Sequence, residues 1–400
     1  MIHTFTVAGR TLAPGDPEWQ AALSEARNTN TRPRCMCVSG GVEMYIAATP
    51  GGHLILKRMP LSGAAHAPGC ESYEPPAELS GLGQLLGAAI EEDGPETKLR
   101  LAFTLSVNGS APTPASDSEP GDSVSADPAK LTMRGTLHYL YEQAGFHRWV
   151  PGMGGKRNWY VVRKHLLDAA RDKTAKGAPL NESLYLPEAF APARKTEQAA
   201  RHAKAMSLIG DTGRRRRLLF LIGEVAGIVN GRIGYRMALT ELPDIYFLLP
   251  DDLHKRMTKR FTTELDLWAA DEGTRLIVAG TISANRSGVP SFQELTLMTV
   301  TANWIPYESV SEKLLLDHLT DQRRAFVKGL RYNLASSTAL ASAVLTDTDP
   351  ATALYLVDTD EHREAVDELI AESELPHWVW DIRGDLPPLP DPLGSTPART

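Results

Sequence analysis

All three cysteines of this 400-residue chain lie between positions 35 and 70, and His66 shares that interval, giving Cys35-x-Cys37 followed by His66-x-x-x-Cys70. Thiolate and imidazole are soft and borderline ligands, and four of them suit a tetrahedral zinc ion. Between the two pairs, residues 43–48 and 53–58 flank Pro50-Gly51-Gly52, which predicts a β-hairpin that folds the second pair back onto the first. A closed set of four protein ligands leaves no position for a substrate water, so the expected ion is structural. The alternative for the same residues is three buried thiols beside an incidental histidine.

The length allows two to four domains with real cores. No run approaches the ~18 apolar residues needed to span a bilayer. The start, Met-Ile-His-Thr-Phe-Thr, has no basic segment followed by an apolar one. A cytoplasmic location with no membrane association is the expectation, and it suits thiols kept reduced for a metal. The net charge of −7 argues against a uniformly basic coat for nucleic acid. Its distribution is uneven, however. Residues 131–177 carry nine Lys or Arg against three acids.

The spacing predicts an α+β, multidomain chain: a small zinc-binding β-hairpin module over 1–107, a disordered linker over 108–129 and a basic, winged-helix-like module over 130–210. An antiparallel α+β unit over 211–303, a C-terminal α/β region over 304–383 and a disordered tail over 384–400 complete it. Within the first module, helices are expected near 17–28 and over 82–92, and a strand over 99–107. Leu137, Leu140 and Tyr141, then Trp159, Val162, Leu166 and Ala170, recur at helical spacing around a turn rich in glycine and arginine. Such a pair resembles a helix-turn-helix reader, with Arg148, Lys156, Arg157, Arg163 and Lys164 as candidate phosphate contacts. The plain alternative is an amphipathic pair with a solvated basic face. The densest basic run, Arg214 to Arg217, precedes the apolar run 218–222, and serves equally as a phosphate-binding edge or as solvation of a strand end. One helix over 250–268 and strands near 276–283 and 292–302 are expected next.

Several segments together, Arg34-Cys-x-Cys, Met44-Tyr-Ile-Ala, Leu56-Lys-Arg-Met-Pro, His66-x-Pro-x-Cys70, Gly155-Lys-Arg, Asp251-Asp-Leu-His-Lys-Arg and Phe326-Val-Lys-Gly-Leu-Arg-Tyr, resemble the bacterial family called domain of unknown function 1173. The resemblance implies a plasmid or integrative conjugative element context and supplies no catalytic residue. Residues 304–382 are also similar to PD-(D/E)XK nuclease-like cores, in which an acid on one strand and acid-x-Lys on the next hold a divalent ion. Here Ser342-Ala-Val-Leu and Tyr355-Leu-Val stand where those groups are expected, and Asp347 and Asp349 sit in a turn-like loop.

Three readings follow. The first is a non-catalytic binding protein for nucleic acid, with DNA the expected partner. The second is a metal-dependent nuclease or a relic of one. The third is a protein-binding scaffold with Trp378 and Trp380 at an interface. No phosphate-cradling glycine loop, G-x-S-x-G or H-E-x-x-H is visible.

Overall fold

The computed structural model describes residues 4–49, 51–93, 96–108, 127–209, 215–231, 234–285 and 287–394. Of the segments singled out above, 109–126 of the linker, Arg214 and residues 395–400 of the tail lie outside these. Among the described residues no helix is long and apolar enough to cross a membrane.

The N-terminal sheet runs in the order Arg10–Leu12, Phe5–Val7, Arg34–Cys35, Val42–Ala48, Leu54–Arg58, antiparallel throughout. The expected hairpin forms its far edge, with Met44 opposite Arg58 and Ala48 opposite Leu54. Helix α1 (Trp19–Asn28) buries Trp19, Ala22, Leu23 and Ala26, a stripe at i, i+3, i+4 and i+7.

The helix expected over 82–92 does not form. Ala77–Leu79 is a short 3-10 turn, further turns follow, and Ile90–Asp93 is a strand antiparallel to Glu96–Leu99. Glycine explains the difference. Gly87, inside the expected span, takes φ of +75°, which does not fit a helix interior, and just before the span Gly81 is held so close to the Arg331 carbonyl oxygen that a Cβ would stand 2.1 Å from it. The single strand expected over 99–107 is also divided, between Glu96–Leu99 and Ser106–Asn108.

Helices α2 (Met133–Gln143) and α3 (Trp159–Ala169) lie where the apolar spacing put them. The Thr132 and Asn158 side chains cap them, accepting from the N–H of Gly135 and Val161. Helix α4 (Lys195–Ser207) follows.

Five strands then close a ring: Leu219–Asn230, Tyr235–Leu239, Leu242–Leu249, Pro290–Val300, Arg275–Ala284, and back to Leu219–Asn230. Neighbours are antiparallel except the third and fifth strands in chain order, which meet in parallel at Leu248 and Ser291. The ring order is therefore 1-2-3-5-4-1. The first strand serves both sides through a register shift between Val225 and Gly227. Its side chains alternate between two cores. Leu219 and Leu221 join Phe247, Leu276 and Phe292 inside the ring, whereas Phe220 and Ile222 pack with Leu137, Leu140 and Trp304. A strand buried on both faces reads as an unbroken apolar run, as 218–222 does. The expected helix over 250–268 is two helices, α5 (Asp251–Arg260) and α6 (Thr262–Ala270), which break at Phe261 with φ −112° and ψ 35°. Leu253, Met257 and Phe261 pack into the ring's interior cluster.

Glu241 is buried beside this ring, its carboxylate accepting from the Glu224 N–H at 3.3 Å, and burial pushes its pKa up to about 8 from an ordinary 4.5. Folding thus favours the protonated acid. Its contribution is fully present below the unfolded value and is lost as pH rises through the folded one. Glu241→Gln keeps the acceptor and removes the charge. It should leave urea stability unchanged at acid pH and raise it by about 5 kcal/mol well above pH 8, the equivalent of the shift from 4.5 to about 8. Equal gains at both pH values would contradict this account of Glu241.

The C-terminal sheet runs His377–Asp381, Thr352–Val357, Ala343–Leu345, Phe326–Lys328, Arg148–Trp149, with helices α7 (Val310–Asp321) and α8 (Asp360–Glu372) beside it. Its last strand comes from the basic segment. Likewise Lys173–Ala175 pairs with Glu96–Leu99, and Arg215–Arg217 with Ser106–Asn108. Strand pairing therefore crosses the boundaries expected near 107, 129, 210 and 303. The cluster around Phe5, Leu23 and Cys35 also takes in Ala353, Tyr355 and Val357.

Residues 384–394 are held against the C-terminal sheet, contrary to the expected disorder. The Trp380 and Trp378 indoles donate to the carbonyls of Gly384 and Pro388, Arg324 donates to Pro390 O, and the Leu393 N–H to Asp347 O. Proline lacks a donor but keeps its acceptor, so a proline-rich strap can still be fixed by side-chain donors. Trp378 and Trp380 are consequently buried, which removes the interface expected of them.

Candidate metal centre

Cys35 ends the strand Arg34–Cys35, opposite Phe5 on one side and Val42 on the other. The chain then turns back through Gly41, at φ +65°, where a Cβ would stand 2.9 Å from Met36 Sδ. Only glycine suits that position. After the hairpin, a 3-10 turn at Gly63–Ala65 leads to His66, and a tight turn with Cys70 N–H on Ala67 O at 2.8 Å delivers the last thiol.

These turns bring all four side chains together. Cys35 Sγ and Cys70 Sγ are 3.7 Å apart, Cys37 Sγ and His66 Nδ1 3.3 Å, and Cys70 Sγ and His66 Nδ1 3.7 Å, with all four ligand atoms within 4.8 Å of one another. Ligands bonded at about 2.3 Å around one tetrahedral ion have edges of about 3.7 Å. The thiols are free, and their spacing far exceeds the ~2.05 Å of a disulfide. The cluster could hold a metal ion.

Burial shapes the electrostatics. It pushes the Cys35 thiol up to about 12, raises Cys70, and lowers His66 to about 4. A neutral imidazole is the ligating form, and a divalent ion would offset the burial cost of the thiolates. The N–H groups of Ala67 and Ser72 point at Cys37 Sγ and Cys70 Sγ at 3.5 and 3.4 Å, where they would stabilise charge on sulfur. His66 Nε2 is buried without a partner among the described residues.

The five candidate phosphate contacts are not brought together on one face. Arg157 is turned inward: it donates to the carbonyls of Phe146 (3.1 Å), Asn303 (3.2 Å), Gly145 (3.3 Å) and Arg148, and lies over the rings of Phe146 and Trp149. Burial lowers its pKa to about 10. Arg148 donates to Tyr73 O and pairs with Glu74 at 3.2 Å. Arg163 is half-buried, with Nε on Leu186 O at 2.9 Å. Guanidinium donors committed to carbonyls are not offered to phosphate, so Arg148 and Arg157 drop out as contacts. Lys156 and Lys164 remain exposed. Between them the sequence reading missed Tyr160, which is 67% exposed. The signal was present: Tyr160 lies off the buried Trp159, Val162 and Leu166 stripe and one turn before Lys164.

In the C-terminal region, Asp347 is held by a two-bond ion pair with Arg324, both at 2.8 Å, and Glu312 by Lys328 at 2.7 Å. Among the described residues neither carboxylate belongs to a metal-binding cluster.

These observations define a mixed α+β protein whose N-terminal sheet carries a buried Cys3His centre. The chain belongs to the family described as protein of unknown function (DUF1173), whose model matches residues 5–383. Neither the curated proteins nor the solved structures contain a match.

Proposed function

We propose that this chain is a non-catalytic nucleic-acid-binding protein, acting on DNA, with a structural zinc ion held by Cys35, Cys37, His66 and Cys70. The observation that carries the reading is the exposed Lys156, Tyr160 and Lys164 set at the start of α3, with no ion pair from described residues to neutralise the lysines. Two ammonium groups and a ring form a small version of the charge-plus-stacking surface that nucleic acid recognises. Zinc is favoured over other ions by the three thiols and one imidazole. The motif resemblance suggests maintenance or transfer of a mobile element as the setting.

The test is a gel shift with the double variant Lys156→Glu, Lys164→Glu. Duplex affinity should fall at least tenfold, and the salt slope by about two units, since two phosphate contacts are lost. Unchanged affinity would refute this surface. The nuclease alternative is tested alongside by adding magnesium or manganese: cleavage that disappears in Asp347→Ala would promote it.

A further inference from the structure

We infer that the outer face of the five-strand ring is a second nucleic-acid surface, one that takes single strands by stacking bases on Tyr246. Its ring order of 1-2-3-5-4-1, with α5 and α6 between the third and fourth strands, is that of the Greek-key barrel used by oligonucleotide- and oligosaccharide-binding folds. Ligands of such barrels lie across the second and third strands. Topology alone assigns no function, so the residues on that face must carry the argument.

Met237, Leu239, Phe247 and Leu249 point into the ring, so strand alternation turns Arg236, Ala238, Tyr246 and Leu248 outward. The register sets them in two rows. Val229, Arg236 and Leu248 lie side by side, as do Gly227, Ala238 and Tyr246. Tyr246 is 43% exposed and Val229 45%. In the same row as Tyr246 the neighbouring strands place Ala238 and Gly227, and a Cβ built on Gly227 would meet nothing within 4 Å. The ring therefore has an open flank.

Arg236 makes no hydrogen bond or ion pair with a described residue, and its buried Nε has no partner among them. Its guanidinium lies against the backbone at Gly231, with Nε 2.7 Å from where a Cβ there would be. Any side chain at 231 would displace it. The acid on the same side of the third strand, Asp244, is paired with Lys195 at 2.8 Å. The face thus offers an aromatic platform, apolar neighbours and an uncommitted cation. That combination fits an unpaired base with its phosphate. Bases in a duplex are already stacked and present no free face to Tyr246. A neutral oligosaccharide could use the ring but not the guanidinium.

This surface is built on other elements than the Lys156 and Lys164 face, and one experiment distinguishes them. Full-length protein is titrated into fluorescein-labelled dT15, a 15-base-pair duplex, and maltohexaose as a neutral competitor, following anisotropy. Tyr246→Ala should weaken dT15 binding about tenfold and leave duplex binding unchanged, while Tyr246→Phe retains wild-type affinity. Arg236→Gln should lower the dT15 salt slope by about 0.7 unit. Lys156→Glu with Lys164→Glu should act chiefly on the duplex. Because Tyr246 is exposed, its variants should melt like wild type, which checks folding. Undiminished dT15 binding by Tyr246→Ala, equal losses on single strand and duplex, or displacement of dT15 by maltohexaose would each overturn the inference.

Discussion

Purified without added metal, the protein should contain close to one zinc per chain, and Cys70→Ser or prolonged chelation should unfold the N-terminal sheet. The expected effect is large. Structural zinc contributes about 10–16 kcal/mol in small modules, comparable to the ~5–15 kcal/mol that holds a whole domain together. Cys35 and Cys70 also lie in the same packed cluster as Tyr355 and Val357, so loss of the ion should loosen the C-terminal sheet as well. Hydrogen exchange before and after chelation reads both regions. A zinc content near zero with the four side chains still protected would reject the metal assignment and restore three buried thiols beside a histidine.

The second large effect concerns Arg157. Arg157→Ala would take the guanidinium donor from the carbonyls of Phe146, Arg148 and Asn303, leave Gly145 O with only the Arg148 N–H, and remove the cation between two aromatic rings. A cost of about 3–4 kcal/mol in urea unfolding is expected, in line with other broken buried networks. Arg157→Lys should recover little of it, because one ammonium cannot span carbonyls that a planar fork reaches. A variant as stable as wild type that had lost DNA binding would return Arg157 to the phosphate contacts.

The convergence of Cys35, Cys37, His66 and Cys70 was legible in the sequence because the four residues are local. Two pairs, one hairpin and the turns that carry the ligands all lie within residues 35–70, so their convergence is written in one short stretch of chain. The helices α2 and α3 were legible for a similar reason, since apolar stripes and capping residues are written within single segments. Arg157 was not. Its acceptors come from 145–148 and from Asn303, and composition cannot say whether a cation meets water or distant carbonyls. The ring illustrates the same limit at larger scale: each strand was readable, but closure depends on Leu248 meeting Ser291 more than forty residues later. Residues 82–92 mislead in the opposite way. Leu82, Leu85, Leu86 and Ala89 have helical spacing, yet Gly87 among them takes φ of +75°, and the chain leading in is held at Gly81 by Arg331, 250 positions on.

The claim that this is a nucleic-acid-binding protein is tested most directly by titrating wild-type protein into labelled duplex and single-stranded DNA across a salt series from about 50 to 200 mM. Binding to both is predicted, with log affinity falling linearly against log salt as phosphate contacts release counterions. No binding to either at the lowest salt, by protein with its zinc in place, would contradict the account.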